Sequence, residues 1–306
     1  MHIIAGSSHP ALAAELVTAL QVNQPQTRLI SCEIGKFANG EKRVFVADEA
    51  LVRGQQVCLL QSFSAPVDEM IIETLLLVDA LERLGAREVS LIVPWMGYSL
   101  QDKVFRPGEA IAAKVVADLL SHSFISRIFL LELHNTSIPG FFAKPTYHLS
   151  TSDLFENYLR ANLDLSNTVI VSPDFGGLKR ARYFAKRLDL PLLNIDKSRD
   201  LQSGVVTAHA IHGGFVRDKI VVLYDDVIVT GGTVAETSEL LKTEGAKEIH
   251  FLATHGIFCN DGLAKISTSP LDRVVVSNSI YHQQTDPKLV SLSLAPLLAD
   301  TLQDWI

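Results

Sequence analysis

Two adjacent carboxylates followed at once by a glycine–threonine turn form the most chemically pointed grouping in the chain: Asp225, Asp226, Val227, Ile228, Val229, Thr230, Gly231, Gly232, Thr233. Residues 220–224 are a short apolar run that suits a strand buried on both faces. Asp225 and Asp226 stand where that strand is expected to end. Thr230 to Thr233 make a small, flexible turn. Val234, Ala235, Ser238 and Leu241 give the next helix an inward stripe, and Gly245 is placed to stop it. A strand, a glycine turn and a helix N-terminus together make an anion site, because free N–H groups and the positive end of the helix dipole point at the turn. Gly231 and Gly232 let the backbone approach a phosphate, and the two threonine hydroxyls can donate to it. Acids beside an anion make sense if they hold what lies between, such as sugar hydroxyls or a magnesium ion. The grouping reads as a site for a phosphorylated sugar. An ordinary corner with two solvated acids is the alternative, and two acids placed directly before the turn count against it.

Further candidates sit at the ends of other expected strands. Residues 88–93 lead into a loop that carries Gln101, Lys103 and Arg106, followed by a helix with Ala112, Val115, Val116 and Leu119. Loops at the carboxyl ends of parallel strands are where α/β proteins place ligands. A basic loop there can close over a polyphosphate and exclude water. Residues 128–133 deliver Glu132 and His134, and residues 168–171 deliver Asp174 ahead of Gly176 and Gly177. The charged run from Asp196 to Asp200 contains Lys197 and Arg199 and reads as a solvated turn, with residues 205–209 as the second arm of a hairpin. Phe37 to Glu41 reads as a hairpin tip, because Asn39-Gly40 is a turn signal with Val44 and Val46 beyond it.

The remaining elements follow from local signals. Residues 2–5 and 57–60 are strands, Pro66 opens a long helix that Gly85 closes, and Thr151 or Ser152 caps another. Ala181, Phe184 and Leu188 mark a helix after Gly177. Residues 249–253 form a strand, and Thr254-His255-Gly256 a turn with His255 structural. Residues 274–276 and 289–292 are late strands, and Leu294, Leu298, Leu302 and Trp305 line a terminal helix. The whole reads as an α/β chain.

The totals narrow the classes. At 306 residues and 47% apolar content, the chain is long enough for two α/β domains and too apolar for disorder. A net charge of −7 argues against a non-specific nucleic-acid binder, so phosphates must be met by local donors, backbone amides and metal. The three cysteines show no zinc spacing, and a reducing cytoplasm fits. No apolar run reaches the roughly 18 residues of a spanning helix, and Met1 leads straight into a strand, so neither membrane nor signal peptide is expected. No P-loop signature occurs. Asp174-Phe175-Gly176 imitates a protein-kinase motif, but the other kinase signatures are missing.

The stretch 221–233 resembles the phosphoribosyl diphosphate (PRPP) motif of the type I phosphoribosyltransferase fold. Other stretches narrow the resemblance to the ribose-phosphate diphosphokinase, or PRPP synthetase, family over nearly the whole chain. Phe37, Asn39, Gly40 and Glu41 match its adenine loop, with Asn39 in place of an aspartate. Gln101, Asp102, Lys103 and Arg106 lie in a stretch similar to its flexible catalytic loop, closer to the archaeal form. Glu132-Leu133-His134 with Ile138 to Phe142, Ser172 to Gly177, and Asp196 to Arg199 match three more of its motifs. The resemblance implies two tandem phosphoribosyltransferase-like domains, 1–147 and 148–306, with mostly parallel sheets flanked by helices and the terminal helix packing back on the first domain. It implies ATP contacts at Phe37, Asn39, Gly40, Glu41, Gln101, Lys103 and Arg106, and Mg2+ contacts at His134 and Asp174. Lys197 and Arg199 are implied as catalytic. Ribose 5-phosphate contacts are implied at Arg199, Asp225, Asp226, Val229, Thr230, Gly231, Gly232 and Thr233. An adenine loop shared between neighbours implies a homo-oligomer, dimer or larger.

Two departures matter. The family's adenine-stacking arginine is replaced by Leu100, and the loss of one charged hydrogen bond weakens ATP binding by roughly ten- to a hundredfold if nothing compensates. Val229 replaces an aspartate or serine next to the phosphate turn, which implies weaker ribose-phosphate binding or an altered sugar preference. Glu132 in place of an aspartate is milder. The expected reaction is transfer of a diphosphoryl group from MgATP to ribose 5-phosphate. The rivals are a phosphoribosyltransferase that consumes PRPP and a non-catalytic regulatory paralogue.

Overall fold

A computed structural model describes residues 1–199, 206–283 and 285–305, with residues 197–199 and 206–209 described by backbone alone. The chain divides into two compact units. One comprises Met1–Ser150, Ser279–Tyr281 and Ser293–Ile306, and the other Thr151–Asn278 and His282–Leu292.

The first unit contains β1 (His2–Ala5), α1 (Pro10–Gln21), β2 (Leu29–Ile30), β3 (Cys32–Lys36), β4 (Lys42–Val46), α2 (Glu49–Val52), β5 (Gln56–Leu60), α3 (Val67–Arg83), β6 (Glu88–Val93), α4 (Ala112–Ser121), β7 (Ile125–Leu131) and β8 (Thr146–Leu149). Its six-stranded sheet has the order β2-β1-β5-β6-β7-β8, and every neighbouring pair is parallel. Parallel neighbours need crossovers, which α1, α3 and α4 supply. Both faces are covered, so β5 and β6 read as continuous apolar runs. Val57, Leu59, Leu91 and Val93 pack with Leu77 and Leu81 of α3 and with Val116 and Leu120 of α4. Val115 and Leu119 of α4 are exposed, because that helix is apolar around more of its circumference than the sheet can cover.

The second unit contains α5 (Ser152–Asn162), β9 (Thr168–Ser172), α6 (Leu178–Leu188), β10 (Leu192–Arg199), β11 (Val206–His212), β12 (Ile220–Ile228), α7 (Gly232–Thr243), β13 (Glu248–Gly256), α8 (Gly262–Thr268), β14 (Arg273–Ser277) and β15 (Leu289–Leu292). The strand order is β11-β10-β9-β12-β13-β14-β15. Among the described strands of this sheet, β10 and β11 pair antiparallel and the other neighbours pair parallel. Alternation along β12 sends Val221 and Leu223 to one core with Val234 and Leu241 of α7. Val222 and Tyr224 go to the other with Phe155 and Phe184, and Tyr224 stacks on Phe184 at 4.0 Å between ring centroids. A final helix, α9 (Ala295–Gln303), belongs to the first unit and packs on α1. Trp305 lies against Tyr147, with the Arg127 guanidinium over its ring.

The α/β class with mostly parallel sheets is as expected. Four local expectations are corrected. β12 does not end at Tyr224 but runs to Ile228, because β13 continues beside it, pairing Val227 with His255 and Ile228 with Gly256. The same pairing makes Thr254-His255-Gly256 part of a strand, not a turn. The run from Asp196 to Arg199 is the end of β10, held by antiparallel pairing with β11; Asp200 and Val205 lie outside the described residues. Thr151 precedes α5 without a side-chain cap, and its Oγ1 instead meets Thr254 Oγ1 at 2.6 Å.

Candidate active site

The anion turn lies where β12 leaves the sheet. Gly231 has φ of +71° and serves as the N-cap of α7, with no side chain capping that helix. The first-turn N–H groups are therefore left for a ligand. Glycine is required at 231 on two counts. The left-handed backbone disfavours a side chain, and a Cβ would stand 2.6 Å from the carbonyl oxygen of Gly262. A pocket of about 160 Å³ opens over this turn, with Asp174, Asp225, Val229, Thr230, Gly231 and Thr233 among its walls. The structure thus brings six of the expected residues of the second unit together. Val227, Ile228, Val234 and Phe251 complete the wall. Val229 presents an apolar side chain there, and its carbonyl accepts from Cys259 N at 2.9 Å. Gly232 opens α7 beside the pocket.

The two acids do not behave alike. Asp225 lines the pocket, whereas the Asp226 side chain is only 3% exposed. Both meet a residue that the motif reading had not singled out, Arg180 of α6. Its Nη1 donates to Asp225 Oδ1 at 3.0 Å and to Asp226 Oδ1 at 2.8 Å. Burial pushes the Asp225 carboxyl well above the usual carboxylate range; the charge of Asp226 adds to this, and Arg180 opposes it. Asp174 is half-buried and accepts from Gly177 N at 2.8 Å. Gly177 packs beside the acids, its Cβ position lying at an ordinary contact distance of 3.4 Å from Asp225 Oδ1. Lys197 and Arg199 belong to β10; their side chains lie outside the described residues.

In the first unit, Phe37 to Glu41 form the tip of the β3–β4 hairpin. Gly40 has φ of +91°, as an Asn-Gly turn demands, and Phe37 is exposed. The hairpin is tied to α3 by Lys42, whose Nζ lies 2.6 Å from Glu73 Oε2 and 3.5 Å from Glu69 Oε2. Glu73 is fully buried, and it also accepts from Ser7 and Gln61. Gln101, Lys103 and Arg106 sit on an exposed loop between β6 and α4. Glu109 shapes that loop by accepting from the backbone N–H groups of Phe105 and Arg106. Leu100 is half-buried at the start of the loop. His134 is exposed on the turn after β7. Its neighbour Asn135 donates to Asp102 Oδ2 at 2.6 Å, which joins the His134 turn to the basic loop.

Sequence reasoning missed Arg180 and the Asp102–Asn135 bond. Neither carries a spacing signal of its own. Arg180 looks like one of several cations on a polar helix face until the fold sets it beside two acids 45 and 46 residues away.

A tandem α/β protein with a phosphate-binding turn at the end of a central strand, and acids just before it, falls in the class of phosphoribosyl-binding proteins. Comparison with known proteins makes this specific. Residues 1–123 match the N-terminal domain of ribose phosphate pyrophosphokinase, and residues 148–286 match the phosphoribosyl transferase domain. The chain is 36% identical over 301 residues to a ribose-phosphate pyrophosphokinase of Wolinella succinogenes, covering 98% of this chain and 94% of that protein. It is 34% identical over 304 residues to the one of Thermotoga maritima, covering 99% and 94%. The crystal structure of phosphoribosylpyrophosphate synthetase from Mycobacterium smegmatis superposes with a TM-score of 0.88 at 33% identity, covering 99% of this chain and 98% of that one. The chain belongs to the ribose-phosphate pyrophosphokinase family. The expected family, fold and enzyme class are met.

Proposed function

We propose that the chain transfers the diphosphoryl group of MgATP to the anomeric hydroxyl of ribose 5-phosphate, giving PRPP and AMP, and that it does so despite Leu100 and Val229. The observation that carries this reading is the pocket over the Gly231 turn, whose walls combine the start of a helix without a side-chain cap with the carboxylates of Asp174 and Asp225. The 5-phosphate rests on the amides and hydroxyls of Thr230 to Thr233, and Asp225 holds the ribose diol, with the buried Asp226 behind it. Val229 leaves the backbone amides intact and removes only a side-chain contact. The anomeric oxygen attacks the β-phosphorus and loses its proton to water, the bond between the β-phosphorus and the α,β-bridging oxygen breaks, and AMP leaves with that oxygen. Such a step needs alignment and charge neutralisation more than covalent chemistry. Lys197 and Arg199 supply fixed positive charge, and Lys103 and Arg106 close over the triphosphate.

The residues present fit magnesium. Mg2+ is commonly held by one or two carboxylates plus substrate phosphates and water, so it needs no closed protein cage. Asp174 uses Oδ1 to accept from Gly177, and it stands on the pocket wall. His134 is solvent-facing, where it can meet a metal carried on ATP. When bound, the ion neutralises charge developing on the phosphate oxygens. Phe37 to Glu41 hold adenine across a contact between copies, so the working form is a homo-oligomer, in the cytoplasm. Purified protein given MgATP and ribose 5-phosphate tests the reading. AMP release only when both are present supports it. PRPP consumption with a nucleobase supports a transferase, and no turnover supports a regulatory subunit.

A further inference from the structure

Neighbouring residues on a strand send their side chains to opposite faces. Asp225 and Asp226 lie within β12, yet a single guanidinium nitrogen reaches an oxygen of each, at 3.0 and 2.8 Å. The topology explains how. β9 pairs with β12 only from Ile220 to Leu223. Beyond that point β12 continues without β9 beside it, and α6 starts close by, with the Cβ position of Gly177 3.4 Å from Asp225 Oδ1. Arg180 enters through this gap. Its side chain is 19% exposed, against 16% for Asp225 and 3% for Asp226, so the triad is largely shielded from water. At such depth two uncompensated carboxylates repel each other and any anionic ligand, and one cation between them removes much of that cost. The bonds to Asp225 from Arg180 and from Asp226 N both fall on Oδ1. Asp225 itself lines the pocket.

We infer that Arg180 is a positioning residue for the sugar site: it clamps Asp225 to the buried Asp226 and supplies the charge that lets Asp225 accept the vicinal diol of a phosphorylated sugar. The inference rests on the proposed ribose 5-phosphate reading of the pocket. Arg180 itself touches neither the diol nor the phosphate. Its loss therefore acts on sugar affinity and not on the nucleotide.

The experiment compares wild type, Arg180→Gln, Arg180→Lys, Arg180→Ala and Asp225→Asn by calorimetric titration with ribose 5-phosphate and by steady-state kinetics. The loss of one charge-assisted clamp is expected to weaken ribose 5-phosphate binding and raise its KM by roughly ten- to a hundredfold in Arg180→Gln. The KM for ATP should stay within about twofold of wild type, on the scale of mutations that share no partner with the nucleotide. Arg180→Lys should recover part of the loss, because a lysine restores the charge but not the rigid planar group that holds one nitrogen between the two acids. Arg180→Ala should recover sugar affinity when free guanidinium is added below denaturing concentration. Two results overturn the inference alone: Arg180→Gln with wild-type sugar affinity while Asp225→Asn is impaired, or an equal rise in both KM values with a lowered Tm and no rescue. Wild-type protein without affinity for ribose 5-phosphate overturns this inference together with the reading of the pocket.

Discussion

Gly231 and Gly232 look interchangeable in the sequence, and the structure separates them sharply. Gly231 has φ of +71°, and a Cβ there would lie 2.6 Å from the carbonyl oxygen of Gly262. An alanine in the left-handed region costs about 1–2 kcal/mol. The clash is with backbone, which cannot rotate away, and overpacking of this kind adds about 1–3 kcal/mol. Gly231→Ala is therefore expected to lose about 2–5 kcal/mol of stability. Gly232 has no such constraint: the nearest atom to its Cβ position is Thr230 Oγ1 at 3.8 Å. It begins α7, where alanine is favoured over glycine by up to about 1 kcal/mol. Gly232→Ala should leave stability unchanged or slightly raised. Urea unfolding followed by circular dichroism checks the pair, and titration with ribose 5-phosphate checks the site. In Gly231→Ala the displaced amides should cost at least about tenfold in sugar affinity, since small misplacements of binding groups are expensive. Equal unfolding midpoints for the two variants would refute the reasoning.

Three other perturbations follow from particular contacts. Leu100→Arg restores the cation missing from the adenine side and should lower the KM for ATP by roughly tenfold or more; an unchanged KM would mean that another group already fills the role. Lys42→Met leaves the fully buried Glu73 without its cation and should cost about 3–5 kcal/mol in urea unfolding, largely recovered by pairing it with Glu73→Gln; a loss below about 1 kcal/mol would show the pair to be dispensable. Asp225→Asn should raise Tm at neutral pH. The folded-state pKa of Asp225 is raised by burial and by Asp226, so wild type holds this contribution fully in acid and loses it as pH rises from the ordinary carboxylate range through the raised value. The advantage of the asparagine should grow across that window and vanish below it, and an advantage independent of pH would contradict the assignment.

Much of this architecture was legible because its signals are local. The Asn39-Gly40 tip, the Gly85 and Gly245 helix ends, and the apolar runs of β5, β6 and β12 each follow from turn chemistry or periodicity that a few residues carry. The anion turn was legible for the same reason. What escaped depends on partners distant in sequence. Residues 225–228 read as a strand end, yet they remain strand because β13 extends beside them. Residues 196–199 read as a solvated turn, yet β11 makes them an edge pair. Arg180 was invisible for a stronger reason. Its role exists only where β9 stops short of β12, and no sequence pattern marks where one strand will outrun its neighbour. Val115 and Leu119 err the other way, since apolar spacing marks a face without saying whether the chain itself covers it.

The central claim is that a sugar seated in the pocket beside Gly231 receives a diphosphoryl group as a unit. Phosphorus NMR of a reaction with MgATP and ribose 5-phosphate tests it most directly. The account requires equal amounts of AMP and of a sugar carrying two coupled phosphorus resonances in addition to its 5-phosphate. ADP together with a ribose bisphosphate, or free phosphate from ATP with the sugar unchanged, would contradict it.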